Sequence, residues 1–256
     1  MKTFCFTVDD NIRFLKEITE GRPNSIFDHP YLAVLARLHE RFGVKIQLNL
    51  FLETEGFTLT EMSDAYADRW AAASDWLKFS FHSRRENVCP YALSGYGEVS
   101  RDCGEVHSQI LRFASHDSLA KTTTVHYCQA TAEGLQALAD NGATGLLGLF
   151  GASDQPRTSY GLCHEDAQRA RNGEVVEIDG MRYASIDMII NKVAMEELVP
   201  KLTKLLTRDA LRVMIHEQYF YGDYPKYQPD FEEKLNTVIG FLLEHGYKSC
   251  FFEELI

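Results

Sequence analysis

The sequence lacks the features that mark several common classes of protein. No apolar run approaches the roughly 20 residues that a membrane-spanning helix needs. The six cysteines are scattered and include no C-x-x-C pair, so we expect reduced thiols. Basic residues number 26 against 37 acidic ones, and the formal net charge of -11 repels phosphate backbones. We therefore expect neither a membrane nor a nucleic acid as a partner.

Two further absences narrow the expectations. The first ten residues, MKTFCFTVDD, reach two aspartates and leave no room for the apolar core and cleavage site of a signal peptide, so we expect a cytoplasmic protein. The glycine-rich segment GATGLLGLFG at 142–151 has neither the Lys-Ser/Thr ending of a Walker loop nor the G-x-G-x-x-G spacing of a dinucleotide-binding loop. We interpret it as a tightly packed strand.

Short β-branched or aromatic runs alternate with longer amphipathic segments, a pattern typical of βαβ units and a mainly parallel sheet. With 256 residues, 45% of them hydrophobic, the chain has the length of one α/β barrel with a sizeable core. We therefore predict an α/β fold, a distorted (β/α) barrel of about seven mainly parallel strands, in one domain spanning 1–256. The predicted strands are residues 2–8, 44–52, 77–81, 122–127, 144–150, 211–215 and 248–252.

The predicted helices lie between these strands. Several end in a glycine that precedes the next strand, because glycine adopts the left-handed conformation that ends a helix. The segment 174–188 breaks the rhythm, since Asp179-Gly180 between two strand-like runs indicates an inserted or edge hairpin. Segments 83–104 and 151–173 are predicted loops at a functional face. The predicted helices are residues 31–42, 59–73, 106–113, 132–140, 195–206 and 230–245.

Ionisable side chains follow the predicted strands at the points where catalytic groups of α/β barrels lie. Each has an ordinary alternative use. The adjacent aspartates could instead form a turn and helix cap. The histidine near the end of strand 122–127 and the one that follows strand 211–215 could each be a hydrogen-bonded core residue. Together they predict a site at the mouth of the barrel. The residues are Asp9, Asp10, His82, His126 and His216.

The motif FHSRRE contains a second candidate ligand. His82 and Glu86 are four residues apart, a spacing that would place both side chains on one face of a helical turn, where they could bind the same metal. The alternative is a surface turn in which Glu86 pairs with Arg84 or Arg85. For His82 a position at the barrel mouth is favoured, because it directly follows the apolar run LKFSF.

These motifs resemble the polysaccharide deacetylase superfamily, carbohydrate esterase family 4, whose members adopt a distorted seven-stranded barrel. TVDD resembles its first motif, which implies Asp9 as catalytic base and Asp10 as metal ligand. HSRRE resembles its second motif, which implies His82 as a ligand, although Glu86 stands where a second histidine is expected. MIHE resembles its late motif, which implies His216 as general acid.

Two other positions depart from that family. His126 occurs where an arginine motif is expected after the fourth strand, so it is a possible ligand or substrate contact. Asp187 in SIDMII stands where a later aspartate-bearing motif is expected, and it is a second possible site residue. If Glu86 replaces the histidine, the site is expected to prefer a harder ion.

The resemblance implies a metal-dependent hydrolase that cleaves an N-acyl or other non-peptide C–N bond of a small carbohydrate-like or cyclic amide substrate. The expected cofactor is a divalent ion, zinc in the first instance, and the expected partner is a small molecule such as an N-acylated sugar. One alternative is a catalytically inactive barrel that binds a carbohydrate or a partner. Another is a metal-dependent barrel lyase or isomerase.

Overall fold

The computed structural model describes residues 1–86, 91–150 and 159–256. The strands are β1 (Thr3–Asn11), β2 (Ile46–Phe51), β3 (Glu53–Thr54), β4 (Phe57–Thr58), β5 (Leu77–Ser83), β6 (Thr122–Thr123), β7 (Gly145–Gly148), β8 (Val176–Ile178), β9 (Met181–Ser185), β10 (Met188–Ile189), β11 (Ala210–His216) and β12 (Lys248–Ser249). The α-helices are α1 (Arg13–Gly21), α2 (Pro30–Phe42), α3 (Ala67–Ala72), α4 (Tyr96–Phe113), α5 (Ala132–Asp140), α6 (His164–Arg171), α7 (Met195–Leu205) and α8 (Phe231–Glu244).

Seven parallel strands form a distorted barrel. Strands β11, β1, β2 and β5 pair side by side, and β6, β7 and β9 form a second run. A parallel bridge between Phe79 of β5 and Leu119 joins the two runs on one side. On the other side, β10, which follows β9 in the chain, pairs in parallel with β11. The ring closes, which confirms the predicted α/β barrel.

We predicted an inserted or edge hairpin at 174–188 and a barrel strand at 248–252, but the structure has a barrel strand in the hairpin and only a short edge pairing at 248–252. Asp179 and Gly180 both have positive φ values, 51° and 79°, and connect the antiparallel strands β8 and β9, as the sequence predicts. However, β9 is one of the strands of the barrel, since it also pairs with β7. The segment 248–252 contributes only β12, which pairs with Thr3 and Phe4 at the start of β1, before β2 begins to pair there.

Most predicted helices are confirmed, and two differ. Gly43, which follows α2, has a φ of 63°, as expected for a glycine that ends a helix. Helix α4 begins at Tyr96 rather than at residue 106, and residues 59–73 contain two short 3-10 turns before α3. Within the described part of the chain, no helix combines the length and apolarity required to cross a bilayer.

The seam between β5 and β6 depends on side chains near the barrel mouth. Strand β6 is two residues long, and the main-chain bonds across the seam use Phe79, which accepts from Ala120 and donates to Ser118. Closer to the mouth, the hydroxyl of Thr123 donates to the main-chain oxygen of Phe81. The ring of His82 bonds to the main-chain oxygen of Thr124. The ladder is therefore thin at this junction, and polar side chains complete it.

A buried carboxylate ties the end of β11 to the start of α1. Ile12, which precedes α1, provides no side-chain cap. Glu217 instead accepts hydrogen bonds from the main-chain N–H groups of Ile12 at 2.7 Å, Arg13 at 3.1 Å and Phe14 at 2.8 Å. Glu217 is 1% exposed. It thus satisfies donors that a helix otherwise leaves unpaired and fixes the ends of β1 and β11 relative to each other.

Replacing Glu217 by Ala is expected to lower the free energy of unfolding by about 3–5 kcal/mol, because three main-chain donors lose their acceptor in a buried place. Glu217→Gln retains one acceptor oxygen and should cost less. Urea denaturation measures both. The control is Glu232→Ala, which removes an exposed partner of Arg37 and should cost less than about 1 kcal/mol. A cost for Glu217→Ala as small as that of the control would contradict this role.

Candidate metal centre

Asp9 and Asp10 both line one cleft at the barrel mouth because β1 is irregular there. Consecutive side chains of a regular strand point to opposite faces. The pairing of β1 with β2 changes register between Val8 and Asn11, and Asp10 has a φ of 64°. Aspartate is one of the few residues that tolerate this left-handed conformation. The bulge therefore turns two neighbouring carboxylates toward the same side.

Three potential ligand atoms converge in this cleft. His82 Nε2 lies 3.0 Å from Asp10 Oδ1 and 3.1 Å from His126 Nδ1. His126 Nδ1 lies 3.3 Å from Asp10 Oδ1. Two donors bound to one ion at ~2.1 Å are themselves roughly 3.0–3.4 Å apart. The triangle of donor atoms therefore fits a single small divalent cation, and its members come from β1, β5 and the turn after β6.

The ring of His82 is oriented as a ligand should be. Its Nδ1–H donates to the main-chain oxygen of Thr124, which leaves the lone pair of Nε2 facing Asp10. Histidines that bind metals commonly use their other nitrogen in this way. A lone pair that faces a carboxylate is favourable only with a positive charge between them, so the arrangement suits a proton or a cation.

The carboxylates around the cluster favour a positive charge between its members. Burial opposes protonation of His82, but the charges of Asp9 and Asp10 and the hydrogen bond with Asp10 raise its pKa. Burial alone would raise the pKa of Asp10, yet hydrogen bonds from His126 and His82 hold it well below its usual range. Asp10 is therefore ionised at neutral pH, and its second oxygen accepts from Gln218 Nε2 at 2.7 Å.

The turn that carries His126 is strained. Tyr127 and Cys128, the next two residues, have φ values of 61° and 55°. Such angles are unfavourable for these residue types and are concentrated at functional sites. Phe51 packs against the rings of both His82 and His126, with ring centroids 5.2 Å and 5.1 Å apart. The strained turn and Phe51 together hold His126 next to His82.

Asp9 is buried beside the cluster and is held by one donor. It is 2% exposed, and its Oδ1 accepts a hydrogen bond from Asn49 Nδ2 at 2.6 Å. Burial raises the pKa of Asp9, against the charges of His82 and His216. A buried carboxylate with a raised pKa can take up a proton during a reaction.

His216 faces Asp9 across the pairing of β1 with β11, in which these two residues are register partners. Its Nδ1–H donates to Asn191 Oδ1 at 3.0 Å, and its Nε2 lies 4.0 Å from Asp10 Oδ2. Burial lowers the pKa of His216, against the charges of Asp10 and Asp9. The protonated ring therefore gives up its proton readily to a group in the cleft.

Glu86 is not among the three residues that converge. The chain after β5 forms a turn rather than the helical turn that the spacing of His82 and Glu86 assumed. Arg84 anchors this turn through ion pairs with Glu53 at 3.1 Å and with the buried Asp102 at 3.2 Å. Glu86 lines the cleft with an exposed side chain. His126, the other possible ligand in the sequence, is the residue that lies beside Asp10 and His82, so the cluster contains two imidazoles.

Asp187 lies at the end of β9, as its position in the sequence suggested, but its carboxylate is used elsewhere. It pairs with the guanidinium of Arg208 and accepts from the main-chain N–H of Arg212 at 2.8 Å. Its side chain is completely buried. The structure therefore places Asp187 in an internal ion pair that fastens β9 and β10 to β11, and not in the ligand cluster.

Unpaired polar atoms gather at this end of the barrel. Eight buried side-chain nitrogen or oxygen atoms of the described residues have no hydrogen-bond partner. Four of them belong to residues that line the cleft or hold His216, namely Thr124, His126, Asn191 and Gln218. Unsatisfied buried groups are rare and commonly mark a place where an ion or substrate binds. The cleft itself has a volume of about 400 Å³.

Three residues that hold the site were not among those predicted from the sequence. Asn49, Asn191 and Gln218 bind Asp9, His216 and Asp10, respectively. Asn49 offered one readable signal, because Gln47 and Asn49 alternate with apolar residues in IQLNLF. That alternation places two polar side chains on one face of β2.

No protein-family model matches the sequence, and no curated protein matches it. Solved structures match it over 99% of its length. A family 4 acetyl xylan esterase from Clostridium thermocellum, in complex with a cobalt ion, has 12% identity and a TM-score of 0.56, with 90% of that chain covered. A family 4 pseudoenzyme from Bacillus anthracis has 12% identity and a TM-score of 0.54, with 65% covered.

A 4-alpha-glucanotransferase from Thermococcus litoralis is also similar, with 12% identity and a TM-score of 0.63, although this chain spans only 40% of it. Likeness at these identities establishes a shared fold. The resemblance predicted from the sequence motifs is therefore confirmed at the level of the fold: the chain has the barrel of the family 4 polysaccharide deacetylases.

Proposed function

We propose that this chain is a metal-dependent hydrolase of the deacetylase type, which removes an acyl group from the nitrogen of a small carbohydrate-like substrate. The observation that carries the proposal is the convergence of Asp10, His82 and His126. Asp9 and His216, which can accept and donate protons, line the same cleft. Structures of the same fold include an acetyl xylan esterase in complex with a cobalt ion.

The donor set suits zinc. One carboxylate and two imidazoles are ligands that zinc and similar first-row ions prefer, and catalytic zinc sites commonly have three protein ligands. Such an ion would supply Lewis-acid polarisation of the acyl carbonyl and make water easier to deprotonate at neutral pH. Asp10, His82 and His126 would hold it. The harder ion that a ligand at Glu86 implied is not part of the proposal.

The remaining residues move protons. Asp9 takes the proton of the attacking water, because its raised pKa and its position in the cleft suit a general base. His216 gives a proton to the departing amine from Nε2, since Asn191 binds its other nitrogen. Gln218 fixes the second oxygen of Asp10 and so keeps Oδ1 turned toward the two histidines.

Elemental analysis of the purified chain tests the proposal. Wild type incubated with zinc and then desalted is expected to retain about one ion per chain, whereas His82→Ala and His126→Ala lose it because each removes one of three ligands. Glu86 lines the same cleft but does not belong to the cluster, so Glu86→Ala should retain the ion. Thermal unfolding of each variant shows whether the fold is intact.

The alternatives give different results in the same experiment. Wild type that retains no ion would contradict the proposal and favour a catalytically inactive barrel; a family 4 pseudoenzyme is among the structures of this fold. Retention of the ion with turnover of a sugar but without release of an organic acid would favour a lyase or isomerase. Release of acetate from N-acetylglucosamine supports the hydrolase.

A further inference from the structure

We infer that Asn49 is the positioning residue for Asp9, and that a directional chain of hydrogen bonds inside the barrel fixes its amide. This inference rests on the proposed function, in which Asp9 is the base. His126 stands where the family resemblance leads one to expect an arginine, and the donor that reaches the proposed base is an amide: Asn49 Nδ2 donates to Asp9 Oδ1 at 2.6 Å. Asn49 is completely buried.

The direction of the chain begins at a main-chain carbonyl, which can only accept hydrogen bonds. The oxygen of Thr122 accepts from Gln47 Nε2 at 2.8 Å, so the nitrogen of the Gln47 amide must face β6. Gln47 Oε1 accepts in turn from the hydroxyl of Thr122 at 3.1 Å, which agrees with this orientation. Gln47 is 2% exposed, and no exchange with solvent is needed to satisfy it.

The orientation of the Gln47 amide determines that of the Asn49 amide. Gln47 Nε2 also donates to Asn49 Oδ1 at 2.8 Å, and the hydroxyl of Ser80 donates to the same oxygen. Gln47 Nε2 can only donate, so it excludes the flipped amide, in which the nitrogen of Asn49 would face the nitrogen of Gln47. The nitrogen of Asn49 is therefore committed to Asp9.

This bond has two consequences for the carboxylate. Asp9 is held in one rotamer with Oδ1 occupied, so Oδ2 is the oxygen that can take a proton from water. The amide also stabilises the charged form without adding a formal charge beside the cation site.

The test is a double-mutant cycle measured by hydrolysis of 4-nitrophenyl acetate. Asn49→Leu is expected to lower kcat about 10- to 100-fold by misplacing the base, with KM and zinc content unchanged. Because Asn49 acts through Asp9, the double variant Asp9→Asn/Asn49→Leu should be no slower than Asp9→Asn alone. Asn236→Leu, a substitution on α8, is the control and should have wild-type activity.

A second variant guards against loss of the fold in Asn49→Leu. Ser80→Ala leaves Asn49 in place but removes one of the two hydrogen-bond partners of its Oδ1, so kcat should fall in the wild-type background and not in the Asp9→Asn background. An equal fall in both backgrounds overturns the inference. If Asp9→Asn is slow but neither Asn49→Leu nor Ser80→Ala slows turnover, the inference fails and the proposed function stands. If Asp9→Asn has wild-type activity, Asp9 is not the base and the proposed function fails.

Discussion

Replacing Asp9 by Asn is expected to lower kcat for acetate release from N-acetylglucosamine on the order of 10²- to 10⁴-fold, the range for loss of a general base. The change removes the basic oxygen and preserves the shape of the side chain. Asn49 can still donate to the amide oxygen that replaces Oδ1. Asp10, His82 and His126 are untouched, so zinc content should equal that of wild type. Activity assays and elemental analysis of the same preparation check both parts.

The matched control is Asp223→Asn, a carboxylate-to-amide change at an exposed residue that pairs with Arg13 at 2.6 Å. It should retain wild-type kcat. A loss of zinc from Asp9→Asn would mean that Asp9 is a ligand rather than the base. Undiminished turnover in Asp9→Asn would remove Asp9 from the mechanism.

Replacing His216 by Ala is expected to slow amide and activated ester substrates to very different extents. An amine leaves poorly without a proton, so acetate release from N-acetylglucosamine should fall on the order of 10²- to 10⁴-fold. The 4-nitrophenolate ion leaves without protonation, so hydrolysis of 4-nitrophenyl acetate should fall less than about tenfold. The ratio of the two kcat/KM values is the measurement, and it is insensitive to a general loss of active protein.

His245→Ala provides the control for this ratio. His245 is exposed on the surface after α8, and its Nδ1 contacts the main-chain oxygen of Phe241. The variant should leave both rates and their ratio unchanged. Equal losses for the two substrates in His216→Ala would show that His216 positions the substrate or the carboxylates and does not protonate the leaving group.

The positions of the site residues along the chain could be predicted because parallel strands bring their carboxyl ends to the same rim. Asp9, Asp10, His82 and His216 lie within the carboxyl-terminal ends of β1, β5 and β11, and the structure brings all of them to one cleft. The same rule also selected Asp187, which does follow β9. There the carboxylate pairs with Arg208 and accepts from the main-chain N–H of Arg212, partners that the strand pattern does not predict.

The positions of the Glu86 and His126 side chains could not be predicted from the local sequence pattern. A spacing of four residues indicates a common face only where the chain is helical, and an ion pair from Arg84 to Asp102 on α4 determines the path of the turn instead. The position of His126 depends on two consecutive left-handed residues, Tyr127 and Cys128, whose types give no sign of that conformation. Long-range contacts of this kind are not encoded in neighbouring residues.

The roles of Asn49 and Glu217 were out of reach for a similar reason. Glu217 caps a helix more than 200 residues away in sequence, with a separation of 205 residues for the bond from Ile12. Asn49 lies 40 residues from Asp9. Each side chain is interpretable only when its partner is known, because a polar residue within or after a strand is compatible with many uses.

The proposed ligands lie on both sides of the thin junction between β5 and β6, so a bound ion would also stabilise that junction. His82 belongs to one side of that junction and His126 to the other, while Asp10 approaches from β1. An ion bound by all three would hold the two sheet runs together where the main chain does so least. Chelation should therefore loosen this junction before the rest of the barrel, and amide hydrogens at 118–124 should exchange faster after zinc removal than those of β1 or β2.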